Sequence, residues 1–159
     1  MKQESAECCP PFDPSPWDNR EIVFENRRFL RDRVTSFLHI PLNFGSVMTR
    51  MVEKIEGAGA KSETMMVLSD DNSPWGSDVY VEIAGDVPDG RMETLSGTFL
   101  SRVYEGPFSR MGEWMRDMHG AVAKKGLTAQ KLYTWYTTCP KCAKKYGKNH
   151  VVLLARLHP

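Results

Sequence analysis

Apolar side chains at Phe44, Val47, Met48, Met51, Val52 and Ile55 recur with the spacing of one helix face. Arg50, Glu53, Lys54 and Glu56 fall on the opposite side, Asn43 stands where an N-cap would, and Gly57 and Gly59 mark a stop. The same spacing returns at Met111, Trp114, Met115, Met118 and Val122, with Ser109 as the entry cap and Gly126 as the stop. The rest of the chain alternates like strand. IVFE and FLRDRVTSFL, broken by Glu25-Asn26-Arg27, predict a hairpin. MMVL (65–68) and VYVEIA (79–84) predict two strands joined by the loop SDDNSPWGSD. TLSGTFLSRVYE (94–105), KLYTWYT (131–137) and VVLLARL (151–157) predict three more, the last two connected by TCPKCAKKYGKN.

An offset of 67 residues lays the first helix stripe on the second, and both follow a Pro-x-Asn/Ser entry. The expected fold is therefore α+β: two tandem β-α-β-β units forming an antiparallel sheet, with two helices on one face and a pseudo-two-fold relation. Residues 1–20, with four prolines, read as an N-terminal arm. Residues 21–159 read as one domain with half-units at about 21–86 and 90–159.

The 159 residues are 41% hydrophobic and 26% charged, an ordinary globular composition. The longest apolar runs, such as VVLLA, are too short for a bilayer-spanning helix, and MKQESAECCPPFDP lacks the apolar core of a signal peptide. No membrane association and a cytoplasmic location are expected. Lys plus Arg number 21 and Asp plus Glu 20, a balance that does not point to nucleic acid. The charge is unevenly placed: residues 1–120 hold 13 basic and 20 acidic side chains, whereas 121–159 hold eight basic and none acidic. That basic tail reads either as a solvated surface or as an anion-binding or dimer-forming edge, and the chain as a monomer or homodimer.

YEGPFSRMGEWMRDMHGAVAKKG followed by KLYTWYTTCP, with DVPDGRMETLSGTFLSRVYEGPF before it, resembles the second half of gyrase-inhibitor-like small-molecule-binding domains. These carry a Tyr-x-Gly-Pro turn into a Trp-bearing helix and then a Tyr-rich strand. The resemblance covers residues 78–137; CCPPFDPSPWD and CPKCAKKYGKN depart from the family pattern. It implies paired β-α-β-β units with a groove for flat, apolar and often cationic molecules. Many such domains are fused to a helix-turn-helix module; no room for one precedes the first strand, so the resemblance is to stand-alone members, some of which hydrolyse reactive small molecules.

Alternation in 78–84 puts Val79, Val81 and Ile83 on one face and Asp78, Tyr80 and Glu82 on the other. With the apolar set against a helix, Tyr80 and Glu82 face the expected groove. There a carboxylate beside rings can attract a cation or act as general base on water. Tyr104, Tyr133, Trp135 and Trp75 are candidate ring walls, Trp75 as a lid. Tyr104 is also the candidate partner of Glu82 in catalysis, steadying a leaving group. Glu105 ranks below Glu82, and Trp114 fits a helix core stripe. The first expectation is a binding protein for a hydrophobic or cationic small molecule, the second a hydrolase using the same groove.

Cys139-Pro140-Lys141-Cys142 has the C-x-x-C spacing of half a zinc site, for which Cys8, Cys9 and either His39 or His150 are candidate further ligands. A redox pair and free thiols are the other readings. A metal- or thiol-centred protein is thus a third expectation, with zinc its cofactor. No G-x-S-x-G, H-E-x-x-H or phosphate-loop pattern is present.

Overall fold

The computed structural model describes residues 13–38, 40–62, 66–137 and 150–158. The chain is α+β, mostly antiparallel strand with two helices. The elements are β1 (Arg20–Phe37), β2 (Ile40–Pro41), α1 (Phe44–Gly57), β3 (Val67–Ser73), β4 (Gly76–Glu82), β5 (Arg91–Glu105), α2 (Met111–Lys124), β6 (Thr128–Tyr136) and β7 (His150–His158). Contacts divide it into two compact units, Phe24–Gly97, and Met1–Val23 with Thr98–Pro159. None of the helices among the described residues is long and apolar enough to cross a membrane.

In the Phe24–Gly97 unit the strand order is β2-β1-β4-β3, every neighbour antiparallel. The helix stripe buries Val47, Met51 and Ile55 against Leu30, Val34, Val79, Val81 and Ile83. Each such side chain stabilises by roughly 1.5–3 kcal/mol relative to exposure. Asn43 occupies the N-cap position, but its side-chain oxygen accepts from the Thr35 N–H at 2.8 Å, tying the helix entry to β1 rather than capping the helix. At the other end Gly59, with φ of 64°, lets its N–H reach Glu56 and the Ala60 N–H reach Ile55. That double bond is a Schellman stop, and only a left-handed residue makes it cheaply.

Two expectations are corrected here. Glu25-Asn26-Arg27 is not a hairpin turn: β1 runs straight through it. Asn26 adopts φ of 52°, and its N–H donates to Ser96 Oγ at 2.9 Å, so the polar break becomes a local irregularity within a paired strand. Likewise SDDNSPWGSD is not a loop. β3 and β4 consume it, leaving Pro74-Trp75 as a two-residue tip with Ser73 opposite Gly76. The chain reverses again after Phe37, with Leu38 at φ of 49° and Phe37 paired to Ile40.

In the other unit the order is β6-β7-β5, again antiparallel. Trp114, Met118 and Val122 of α2 pack on Leu100, Val151, Leu153 and Ala155. Ser109 lies in a 3-10 turn, Phe108–Arg110, and the α-helix proper starts one residue later than a Ser109 cap would give. Gly126, φ 72°, ends it with the same paired bonds, to Ala123 and from Leu127 to Val122. Residues 14–18 make a turn closed on the Pro14 carbonyl. That turn is docked: Asp18 Oδ1 accepts from the Val103 N–H at 3.2 Å, and Trp17 meets Trp135 edge-on at 4.8 Å.

Candidate functional site

Strand parity builds the site. Because Val79, Val81 and Ile83 face α1, the intervening Asp78, Tyr80 and Glu82 face the other way. Register sets Phe29 opposite Glu82, Arg31 opposite Tyr80 and Arg33 opposite Asp78 on the same face, with Leu68 and Asp70 completing two rows from β3. Tyr80, Asp78, Glu82, Phe29, Leu68 and Asp70 are all buried.

The charges there are matched closely. Arg27 holds Glu82 Oε2 at 2.6 Å from Nη2 and 2.8 Å from Nε, while its guanidinium lies 4.8 Å over the Phe24 ring. Arg31 bridges Asp78 at 3.0 Å and Glu93 at 2.8 Å, and sits 5.7 Å over the Tyr80 ring. Arg33 adds a longer contact to Asp78 at 3.3 Å. Burial alone would lower the Arg31 pKa, but the hydrogen bond and charge of Asp78, aided by Glu93, hold it above the ordinary guanidinium value. Phe29 meets Tyr80 edge-on at 6.4 Å. Glu82 and Tyr80 are thus brought together, as adjacent outward positions of one strand end.

The unit holding Thr98–Pro159 has its own ring-bearing face. Opposite α2, register forms the rows Ser101–Leu154–Tyr133 and Val103–Val152–Trp135. Phe99 lies 6.1 Å from Tyr133, and the Lys131 ammonium 5.9 Å over it. Tyr133 and Trp135 therefore share a face, whereas Tyr104 lies on the α2 side of its sheet. Its ring stacks on Trp114 at 5.5 Å and 19°, and its hydroxyl donates to Asp117 Oδ2 at 2.5 Å. Arg102 reaches the same oxygen at 2.6 Å. Burial, then the Asp117 hydrogen bond, pushes the Tyr104 phenol up; the Tyr104 and Arg102 hydrogen bonds hold Asp117 below the usual carboxylate range. Tyr104, Trp114 and Asp117 line a cleft of about 440 Å³ together with Glu105, Arg110 and Glu113. Glu105 faces His150 at 3.4 Å.

Trp75 is on the hairpin tip, exposed, with its ring 5.8 Å from Phe37. Glu82 is at the far end of the same strand, roughly 20 Å along it at ~3.3 Å per residue. Trp75 and Glu82 are not neighbours. Cys8, Cys9, Cys139, Cys142 and His39 lie outside the described residues; among the described residues no cluster of three or more His, Cys, Asp or Glu could hold a metal.

The arginines went unnoticed in the sequence. Arg31 and Arg33 share parity opposite to Leu30 and Val34, a period-two signal that the supposed hairpin at 25–27 obscured. Among the described residues two buried polar atoms have no hydrogen-bond partner, Arg31 Nε and Ser101 Oγ.

Among solved structures, the chain resembles a hydrolase from Listeria innocua at TM-score 0.63 and 13% identity, covering 99% of this chain and 98% of that one. A second Listeria innocua hydrolase, encoded by lin2189, gives 0.61 and 11%, covering 89% and 93%. A structure of SAV2435 bound to tetraphenylphosphonium gives 0.53 and 9%, covering 87% and 93%. At such identities the likeness is one of fold. No curated protein matches in sequence. A family model described as bacterial hydrolase matches residues 1–157, and the chain belongs to that family.

Proposed function

We propose that the chain binds a hydrophobic or cationic small molecule, with Glu82 as charge partner and Tyr80 as ring contact. The observation that carries this is their placement together on a buried, ring-bearing strand face, with Arg27 fixing the carboxylate. A carboxylate offers about four lone-pair positions, so Arg27 and a ligand can share Glu82. The neighbour bound to tetraphenylphosphonium, a hydrophobic cation, supports the reading. So does the resemblance to gyrase-inhibitor-like domains. The shared order of strand, helix, strand, strand in each unit, with the last strand central, supports two tandem β-α-β-β units on that plan.

Family membership favours a second reading, hydrolysis on the same face. There Glu82 takes a proton from water as the water oxygen attacks an electrophilic carbon, and a tyrosine hydroxyl protonates the leaving group. Titrating tryptophan fluorescence with tetraphenylphosphonium, in parallel with turnover of electrophilic esters and strained rings, separates the readings through Glu82→Gln. Binding of the cation weakened roughly tenfold or more, with neutral ligands unaffected, supports sequestration. Turnover abolished with affinity retained supports hydrolysis. Unchanged binding and turnover would remove Glu82 from the site.

A further inference from the structure

At one end of the Phe24–Gly97 unit three chain reversals meet. Ser36 donates its N–H to the Trp75 carbonyl at 2.8 Å, Phe37 pairs with Ile40, and the Leu42 N–H returns to Thr35 at 2.9 Å just before α1 begins. The side chains displayed there are large and apolar: Leu42 is 66% exposed, Trp75 59%, Leu38 58%, Phe37 54% and Phe44 37%. Phe37 and Trp75 already touch edge to ring. Residues 34–49 contain no Asp, Glu, Lys or Arg, and neither does the tip 72–77. The half-exposed Arg33 guanidinium lies beside Gly76 at the base of the tip. So many exposed rings and leucines close together are still uncommon on a monomer surface.

Leu38 adds an independent observation. Among the described residues three non-glycines have positive φ; two are asparagines, which tolerate it, and the third is Leu38 at 49°. A leucine in the left-handed region is strained, and an exposed turn offers it no core to fill. Asparagine or glycine would make the same turn without strain. A partner surface met by the side chain would account for the leucine.

We propose that this end is the surface through which two copies of the chain pair about a two-fold axis. An isologous contact sets a patch against its own copy, residue i on j and j on i, so a mostly apolar patch meets a mostly apolar patch and both are removed from water together. With about 100 Å² of each of the five side chains in water, a pair of patches hides roughly 1,000 Å² from these anchors alone, the lower bound for a specific interface. Trp75 then serves as an interface anchor, in keeping with the enrichment of tryptophan at such centres.

Sedimentation of the full chain from low to high micromolar concentration tests this. Wild type is expected to shift from monomer to dimer mass as concentration rises. Trp75→Glu and Leu42→Glu should each weaken association roughly tenfold or more with unchanged circular dichroism. Leu38→Asn should melt no lower than wild type as a monomer yet dimerise less. A wild type that stays monomeric throughout, or a dimer indifferent to all three changes, overturns the proposal. Recruitment of a strictly monomeric chain to phosphatidylcholine vesicles overturns it in favour of a lipid surface.

Discussion

Arg27 meets Glu82 through two nitrogens on one carboxylate oxygen, at 2.6 and 2.8 Å, with the acid buried and the base a quarter exposed. Arg27→Gln removes a cation from a buried carboxylate, at an expected cost of about 1–3 kcal/mol, below that of a fully buried pair because Arg27 still touches water. Glu82→Gln in the same background should recover part of that loss. Urea unfolding of both single variants and the double variant gives the coupling, and additive losses would mean that the contact contributes nothing.

Tyr104 and Asp117 predict a pH dependence. Asp117 is held below its ordinary value of 3.8, chiefly by the Tyr104 hydroxyl, so the unfolded chain binds the proton more readily. Its stabilising contribution is complete above that ordinary value and fades as pH falls below it. Tyr104→Phe removes the largest cause, so melting temperature should fall less steeply with acid than in wild type. Parallel curves below pH 3.8 would contradict this.

Tyr104 is also shifted upward, by burial and then Asp117. Stability from this phenol is complete below the ordinary value of 10.0 and is lost as pH climbs past it, since the unfolded chain ionises first. Ultraviolet titration should show a phenol ionising above the ordinary value of 10.0 that Tyr104→Phe removes.

Ser101 buries a hydroxyl that has no partner among the described residues. Ser101→Ala exchanges an unpaired polar group for a methyl, and should stabilise by about 1 kcal/mol. A lower melting temperature would show that the hydroxyl is paired in solution.

Gly120 and Gly126 make a matched pair. A Cβ at either meets nothing within 4 Å, so only backbone conformation differs. Gly120→Ala lies inside α2 and should stabilise by about 0.5–1 kcal/mol, whereas Gly126→Ala forces a side chain to φ of 72° and should cost roughly 1 kcal/mol.

Both helices were legible because their core stripes are periodic and their stops are glycines. The strands were legible where β-branched residues alternate, as in 79–83, which is why Tyr80 and Glu82 separate from the core set in sequence and structure alike. They were not legible where local propensity opposes pairing. Ser69, Asp70, Asp71 and Asn72 are poor strand formers, yet pairing of Ser69 with Val79 and Asp70 with Asp78 draws the segment into β3, with a register shift before Ser73. Tyr104 shows a different obstacle. It shares parity with Leu100, which packs on α2, but Arg102 intervenes on the same side, and the sequence offers no rule for a salt-bridged arginine at the rim of a core.

The two-residue reversal at Pro74-Trp75 also bears on the order of assembly. β3 and β4 pair residues beginning three apart in the chain, from Ser73 and Gly76 outward, whereas β5 and β7 pair residues 45 to 57 apart. Loop closure disfavours the distant contacts until much of the chain is ordered, while a hairpin zips within roughly 1–10 µs. The β3–β4 ribbon is then the natural nucleus, and Val79, at the middle of β4, meets its partner Ser69 before the strand's far end is paired. Substitutions near Val79 should slow refolding, and those on β7 should chiefly speed unfolding.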